Sequence, residues 1–140
     1  MAAPGMGKRA AATAVDFMIF YLPYCLSVSD AASQPVRVVA AFSSLAALAA
    51  QCAVLARDGQ TFGKKLWGLR VVRRATGENG GFVTNVLLRA AVAWVPNLLL
   101  VSLGALPMWL LADGLVLWWR GDGLSLHDLI AGTSVVEISP

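Results

Sequence analysis

Long apolar runs with few charges constrain this 140-residue chain more than any other feature. The runs cover residues 10–29, 36–56 and 82–119. A helix needs about 20 predominantly apolar residues to cross a bilayer. The first two runs are each long enough for one such helix, and the third is nearly long enough for two. The pattern predicts an integral membrane protein.

The composition agrees with this interpretation. Hydrophobic residues make up 58% of the chain and charged residues only 14%, and the mean hydropathy is +0.69. Soluble domains usually contain about 45–50% apolar and about 25% charged residues. The alternative, a very apolar soluble domain, is disfavoured because one small core could not bury so much apolar surface.

Pro96, Gly104 and Pro107 divide the third run. We expect two helices, at about 84–103 and 107–120, joined by a turn at 104–107. The predicted fold is therefore all-α: a single polytopic membrane domain over residues 1–140. Its four transmembrane helices lie at about 10–29, 36–56, 84–103 and 107–120, and a short hairpin-like loop occupies 57–83. The alternative is three spans, with an interfacial helix before one long final span.

Basic residues predict the orientation. Seven of the eleven Lys and Arg residues lie between Arg57 and Arg89, and Lys8 and Arg9 precede the first run. The positive-inside bias therefore places the N-terminus and the central loop in the cytoplasm. With four spans the C-terminus is cytoplasmic as well, whereas with three spans it is outside.

The central loop is predicted to lie on the membrane surface. Basic side chains near an anionic leaflet are attracted to it by about 1 kcal/mol each. We expect this contact with anionic lipid from Lys64, Lys65, Arg70, Arg73 and Arg74. The segment GQTFGKK does not have the spacing of a nucleotide-binding phosphate loop, and no strand precedes it.

Charged groups inside the apolar runs are the candidate functional residues, because ionisable groups within a membrane are costly. Arg9 and Asp16 are seven residues apart, so they share a helix face but lie about 10 Å apart along its axis. We expect each to meet a group from elsewhere in the chain: Arg89 is the candidate partner of Asp16, and Asp128 that of Arg9.

Asp113 is the other carboxylate within an apolar run, and we expect it either to face Asp16 across the bundle or to pair with Arg89. Two carboxylates in one apolar site raise one of their pKa values, which is the basis of a proton or cation site. The alternative is an interhelical polar clamp with no transport role. Either way, the candidate pathway or polar cluster consists of Arg9, Asp16, Arg89, Asp113 and Asp128.

Other classes of site are not indicated. Cys25 and Cys52 lie within predicted helices, in apolar settings that do not suit a metal site or a disulfide framework. His127, the only histidine, lies in a predicted loop beside an aspartate, and a hydrogen-bonded structural role is expected. We predict no catalytic residues, no metal, no cofactor and no nucleic-acid partner.

Three segments, KRAAATAVDFMI, GQTFGKKLWGLRVV and GLSLHDLIAGTSVV, together resemble the RDD family of bacterial membrane proteins, named for one arginine and two aspartates. The resemblance covers nearly the whole chain. It implies a bacterial inner-membrane location and places the family arginine at Arg9 and the first aspartate at Asp16. The second aspartate falls on Asp128, with Asp113 as the rival.

The resemblance implies no catalytic residues, and transport is the function usually suggested for the family. We therefore expect ion or proton-coupled transport by a homo-oligomer. The competing hypothesis is a non-enzymatic scaffold, assembly factor or regulatory subunit of a larger membrane complex. An enzyme acting on lipid is a third class, with no nucleophile to support it.

Overall fold

A computed structural model describes residues 4–102 and 108–138 of the chain. Most of these residues are helical. In chain order the elements are α1 (Met6–Val28), α2 (Gln34–Asp58), α3 (Phe62–Leu66), β1 (Leu69–Arg73), a π-helical segment (Val83–Ala90), α4 (Ala91–Ser102), α5 (Met108–Arg120), α6 (Leu126–Ala131) and β2 (Thr133–Glu137).

Helices α1 and α2 pack against each other and form the long apolar part of the fold. Within the described residues, these two helices are the ones long and apolar enough to cross a membrane. They extend beyond the predicted segments, since α1 begins at Met6 and α2 ends at Asp58. Arg9 therefore lies within the first turn of α1 and not ahead of it.

The third apolar run forms a continuous helix over residues 83–102, which begins with the π-helical segment and continues as α4. Helix α5 follows at Met108–Arg120, close to the predicted segment 107–120. The predicted turn at 104–107 lies outside the described residues. π-Helical turns are rare and often occur at functional sites, and this segment contains both Asn85 and Arg89.

The described residues are mostly helical, as the predicted class requires, but they also form one two-stranded sheet, and the hairpin predicted within the central loop is not formed there. Strand β1 of the loop pairs in antiparallel register with β2 of the C-terminal tail, from Leu69 opposite Glu137 to Arg73 opposite Thr133. The sheet replaces a local hairpin because the tail brings its own short apolar strand, whose Val135 lies opposite Val71. Gly59, at φ +70°, ends α2 and also hydrogen-bonds β1 through its carbonyl.

The tail after Arg120 also contains α6, so His127 lies in a helix and not in the predicted loop. Gly132, at φ 64°, ends α6 and lets the chain enter β2. The tail packs against the π-helical segment, and Lys8 of α1 forms an ion pair with Glu137 of β2. The start of α1 and the C-terminal tail therefore lie at the same end of the molecule, which we call the polar end.

A small core lies at the polar end. Its buried members are Ala12, Leu55, Leu69, Val71 and Val135, and Trp67 and Val86 pack against them. These residues come from α1, α2, the end of α3, the sheet and the π-helical segment. Burial of their side chains holds the loop and the tail against the helices, and this places the polar groups described below.

Candidate functional site

Asp128 of α6 is the most completely enclosed charge in the described part of the chain, with an exposed fraction of 0%. Its carboxylate accepts hydrogen bonds from Arg9 Nη2 and Arg89 Nε, each at 2.8 Å. The hydroxyls of Ser125 and Thr133 also donate to it, each at 3.0 Å. These donors belong to α1, the π-helical segment, the start of α6 and β2, so one carboxylate joins four parts of the fold.

Electrostatics keep Asp128 ionised. Burial is the largest single influence and would raise the pKa of its carboxyl, but Arg89, His127 and Arg9 together outweigh burial. The pKa of Asp128 is therefore held below its usual range. A carboxylate with this pKa is a fixed anion at neutral pH and does not exchange protons.

The two predicted partnerships have different outcomes. The expected pair of Arg9 with Asp128 is present, and Arg9 also donates to the Gly123 carbonyl. The expected pair of Asp16 with Arg89 is absent among the described contacts, because Arg89 points to Asp128. The folded tail brings the Asp128 carboxylate to Arg89. The position of Arg89 in the sequence could not indicate this contact.

Asp16 is held by α3 of the central loop. Its side chain accepts hydrogen bonds from the Thr61 hydroxyl and, at 2.7 Å, from the Gly63 backbone N–H. The Lys64 ammonium lies 3.5 Å from the same carboxylate. Asp16 is thus 7% exposed despite its position in an apolar helix, and three groups from one short segment compensate its charge.

Gly63 permits this contact. A Cβ atom at this position would collide with the Ala12 carbonyl and lie 3.0 Å from Asp16 Cγ. Thr61 starts α3, and its side chain accepts a hydrogen bond from the Lys64 N–H. The close approach of α3 to α1 therefore depends on a residue without a side chain at position 63.

The prediction that Lys64 contacts lipid headgroups is wrong. Lys64 is 9% exposed, because α3 turns its side chain inward, towards Asp16. Burial lowers the pKa of Lys64 to about 8, and Arg89 contributes to the lowering, whereas Asp16 and Asp128 act in the opposite direction. Lys64 is still mainly protonated at neutral pH, but it can release its proton at slightly alkaline pH.

The remaining predicted lipid-contact residues lie nearer the surface. Lys65 is half-exposed and pairs with Asp58 at 2.6 Å. Arg70 is partly buried and donates to the Asp58 carbonyl. Arg73, the last residue of β1, and Arg74, in the turn that follows, are exposed.

Asp113 of α5 forms neither of its expected pairs in the described structure. It accepts hydrogen bonds from the His127 backbone N–H at 3.0 Å and lies 2.8 Å from His127 Nδ1. Burial, followed by Arg89, lowers the pKa of His127, which favours the neutral ring. The pair connects α5 with α6 and lies beside Asp128, whose carboxylate is 3.9 Å from His127 Nε2.

Sequence reasoning missed the roles of Thr61, Gly63, Ser125 and Thr133. The hydroxyls that start α3 and α6 are typical helix-capping residues, and that signal was present in the sequence. This signal indicates where a helix starts, however, and does not indicate which carboxylate the capping hydroxyl contacts. In the described residues, no three His, Cys, Asp or Glu side chains are grouped to hold a metal ion.

Comparison with known proteins gives one match. The chain matches no curated protein and no solved structure. The model of the RDD family matches residues 3–132, which include Arg9, Asp16, Asp113 and Asp128. Because this match covers almost the entire sequence, the chain belongs to the RDD family.

Proposed function

We propose that this RDD protein is an ion or proton-coupled transporter of the bacterial inner membrane, with the Asp16–Lys64 pair as its exchange site. The observation that carries the proposal is this pair of opposite charges, buried and 3.5 Å apart, beside a membrane-crossing helix. A proton leaving Lys64 leaves the Asp16 carboxylate without its nearest cation. A small monovalent cation or another proton can then compensate that carboxylate.

The remaining charges have a structural role in this proposal. Asp128 is fixed as an anion by Arg9 and Arg89, so it holds α1, the π-helical segment and the tail together. Asp113 is engaged by His127. The assignment differs from the sequence hypothesis, in which Asp113 and Asp128 belong to the same candidate pathway as Asp16.

The fold supports an even number of membrane-spanning segments. The start of α1 and the end of the tail lie together at the polar end, joined by the Lys8–Glu137 and Arg9–Asp128 pairs. Four spans, at α1, α2, residues 83–102 and α5, return the chain to its starting side. Together with the basic residues of the polar end, this supports a cytoplasmic location for both the N-terminus and the C-terminus.

The transporter would act as a homo-oligomer. Within one copy, only 11% of the apolar window of α1 and 17% of that of α2 are buried. Further copies would cover these surfaces and form a pathway between them.

Flux in proteoliposomes tests the proposal. The purified protein would be reconstituted, and Na⁺, K⁺, Li⁺ and proton flux would be measured under an imposed pH gradient. Asp16→Asn and Lys64→Met should abolish flux while insertion remains intact. Asp58→Asn is the matched control, because Asp58 forms a comparable pair with Lys65 at the surface, and it should retain flux. Normal flux in Asp16→Asn would refute the assignment.

A second candidate function is a scaffold or assembly subunit of a larger membrane complex. It is favoured by the carboxylate of Asp128, which joins four parts of the fold, and by the uncovered faces of α1 and α2. In this case Asp16→Asn should lower abundance or oligomer integrity. No flux should occur in vesicles, and a membrane partner should remain bound in mild detergent.

A further inference from the structure

The hydroxyl of Thr61 connects the two charged groups of the proposed exchange site. It donates a hydrogen bond to Asp16 Oδ2 and accepts one from the Lys64 ammonium at 3.3 Å. The direct distance from Lys64 Nζ to Asp16 Oδ2 is 3.5 Å. All three side chains are buried, each no more than 9% exposed. Among the described contacts, the oxygen nearest to the ammonium is therefore that of Thr61 and not that of the carboxylate.

Donor and acceptor roles fix the direction of this hydroxyl. A hydroxyl donates one hydrogen bond and accepts two. Its two nitrogen neighbours, the Lys64 backbone N–H at 3.4 Å and the Lys64 ammonium at 3.3 Å, are both donors. The hydroxyl proton therefore points to the Asp16 carboxylate, which accepts it. In this arrangement Thr61 is already oriented to receive a proton from Lys64 and to pass its own proton to Asp16.

We propose that the Thr61 hydroxyl relays the exchanged proton between Lys64 and Asp16, and that this site carries a proton and not a metal cation. The proposal rests on the transport function proposed above. In the transfer, an N–H bond of the ammonium breaks as its proton binds Thr61 Oγ1, and the O–H bond of Thr61 breaks as its proton binds Asp16 Oδ2. The ion pair becomes a neutral amine and a neutral carboxylic acid, and Thr61 is again a hydroxyl. Burial assists this step because it disfavours charged groups.

The groups around the Asp16 carboxylate suit a proton better than a metal cation. A metal cation gives up its hydration shell where several oxygen atoms replace it. The described partners of this carboxylate are two nitrogen donors, the Gly63 N–H and the Lys64 ammonium, and one oxygen, that of Thr61. The Gly63 N–H holds Oδ1 at 2.7 Å. Oδ2, which faces both Thr61 and Lys64, is therefore the atom that receives the proton.

Proton flux in proteoliposomes tests which species the site carries. A pH gradient would be imposed with choline as the added cation and thiocyanate as the permeant counter-ion, and then with Na⁺ or K⁺ in place of choline. We expect the same proton flux in each medium and its loss in Asp16→Asn. Flux that requires Na⁺ or K⁺ would overturn the proton assignment and leave transport intact. Absence of wild-type flux in every medium would refute the proposed function, and the relay with it.

Variants of Thr61 separate the relay from the structural role of this residue, which also starts α3. Thr61→Ser keeps a hydroxyl and should retain most of the flux. Thr61→Asn keeps a helix-capping side chain and an N–H donor for Asp16, but its amide does not relay a proton. It should keep the unfolding temperature of the wild type and lose flux about tenfold or more. Thr76→Asn is the matched control, because the Thr76 hydroxyl lies in an exposed turn, and it should behave like the wild type.

Lys64→Arg keeps the test decisive if Thr61→Asn does not fold. Arginine retains a positive charge beside Asp16, but its guanidinium group does not release a proton, so flux should be lost. Wild-type flux in a folded Thr61→Asn or in Lys64→Arg would overturn the relay, as would loss of flux in a folded Thr61→Ser. Each of these outcomes leaves the proposed function standing, because the wild-type protein still transports protons.

Discussion

Replacing Asp128 with asparagine should destabilise the protein strongly. The substitution keeps the shape of the side chain but removes the charge that compensates Arg9 and Arg89, which are 8% and 7% exposed. Hydrogen bonds to charged groups contribute about 1.5–3 kcal/mol each, and two of them lose their ionic acceptor. Loss of one partner from a buried ion pair typically costs about 3–5 kcal/mol. We expect a loss of about 3–5 kcal/mol in the free energy of unfolding.

The measurement is the unfolding free energy in mixed micelles, followed by tryptophan fluorescence during titration with a denaturing detergent. Asp122→Asn is the matched control, because Asp122 pairs with Arg120 at 2.7 Å but is exposed. Exposed pairs contribute little to stability because solvent screens them, so the control should lose far less stability than Asp128→Asn. Similar small losses in both variants would refute the claim that Asp128 holds the polar end together.

The pH dependence gives an independent check on Asp128. Its pKa is lowered in the folded state, so its stabilisation is present above the ordinary value of about 4. That stabilisation should be lost as the pH falls below this value, because protonation removes the charge facing the arginines. The acid-dependent loss attributable to this residue should disappear in Asp128→Asn. An unchanged acid profile would contradict the lowered pKa.

Three further predictions concern the contacts around Asp16 and Asp128. The pKa of Lys64 is about 8 in the folded state and about 10.4 when the side chain is exposed. Between these two pH values, Lys64 is therefore protonated in the unfolded state and neutral in the folded state. Stability should therefore rise by about 3 kcal/mol across that pH range; Lys64→Met should lack the rise and Lys65→Met should keep it, as measured by unfolding at each pH. Gly63→Ala should cost about 1–3 kcal/mol in the same assay, because a Cβ there meets α1, whereas Gly7→Ala, in open space on α1, should cost nothing. Thr133→Val should cost about 1 kcal/mol, because it removes one hydroxyl donor from Asp128, and a value near zero would show that this hydrogen bond is dispensable.

The helices were the most predictable part of the fold. Apolar runs predict α1, α2, α4 and α5 because a helix satisfies its own backbone hydrogen bonds, so a sufficiently long apolar segment away from water becomes helical. The predicted helix ends were less accurate, because they depend on local backbone geometry: Gly59 ends α2 and Thr61 starts α3. The pairing of β1 with β2 was not predictable, because each strand has five residues and its partner lies in a distant segment.

In the candidate site, too, some features could be predicted from the sequence and others could not. The charges of Arg9, Asp16 and Asp128 within or beside apolar segments marked them as unusual, because burying a charge is costly without a partner. The partner of Asp16 was misassigned, and Lys64 was placed on the membrane surface. The contact between Asp16 and Lys64 joins residues of α1 and α3. It depends on how closely these helices approach, which Gly63 decides through the absence of a side chain.

By itself, the sequence determined the apolar helices, the family and four of the buried charges, Arg9, Asp16, Arg89 and Asp128, because hydropathy and local spacing are properties of short segments. Only the tertiary structure decided how the charges pair: Asp16 with Lys64, and Asp128 with both arginines. The physical reason is that an ion pair needs its two groups within about 4 Å. In this chain that distance is set by the folding of the loop and the tail against the start of α1, through contacts between residues far apart in the sequence.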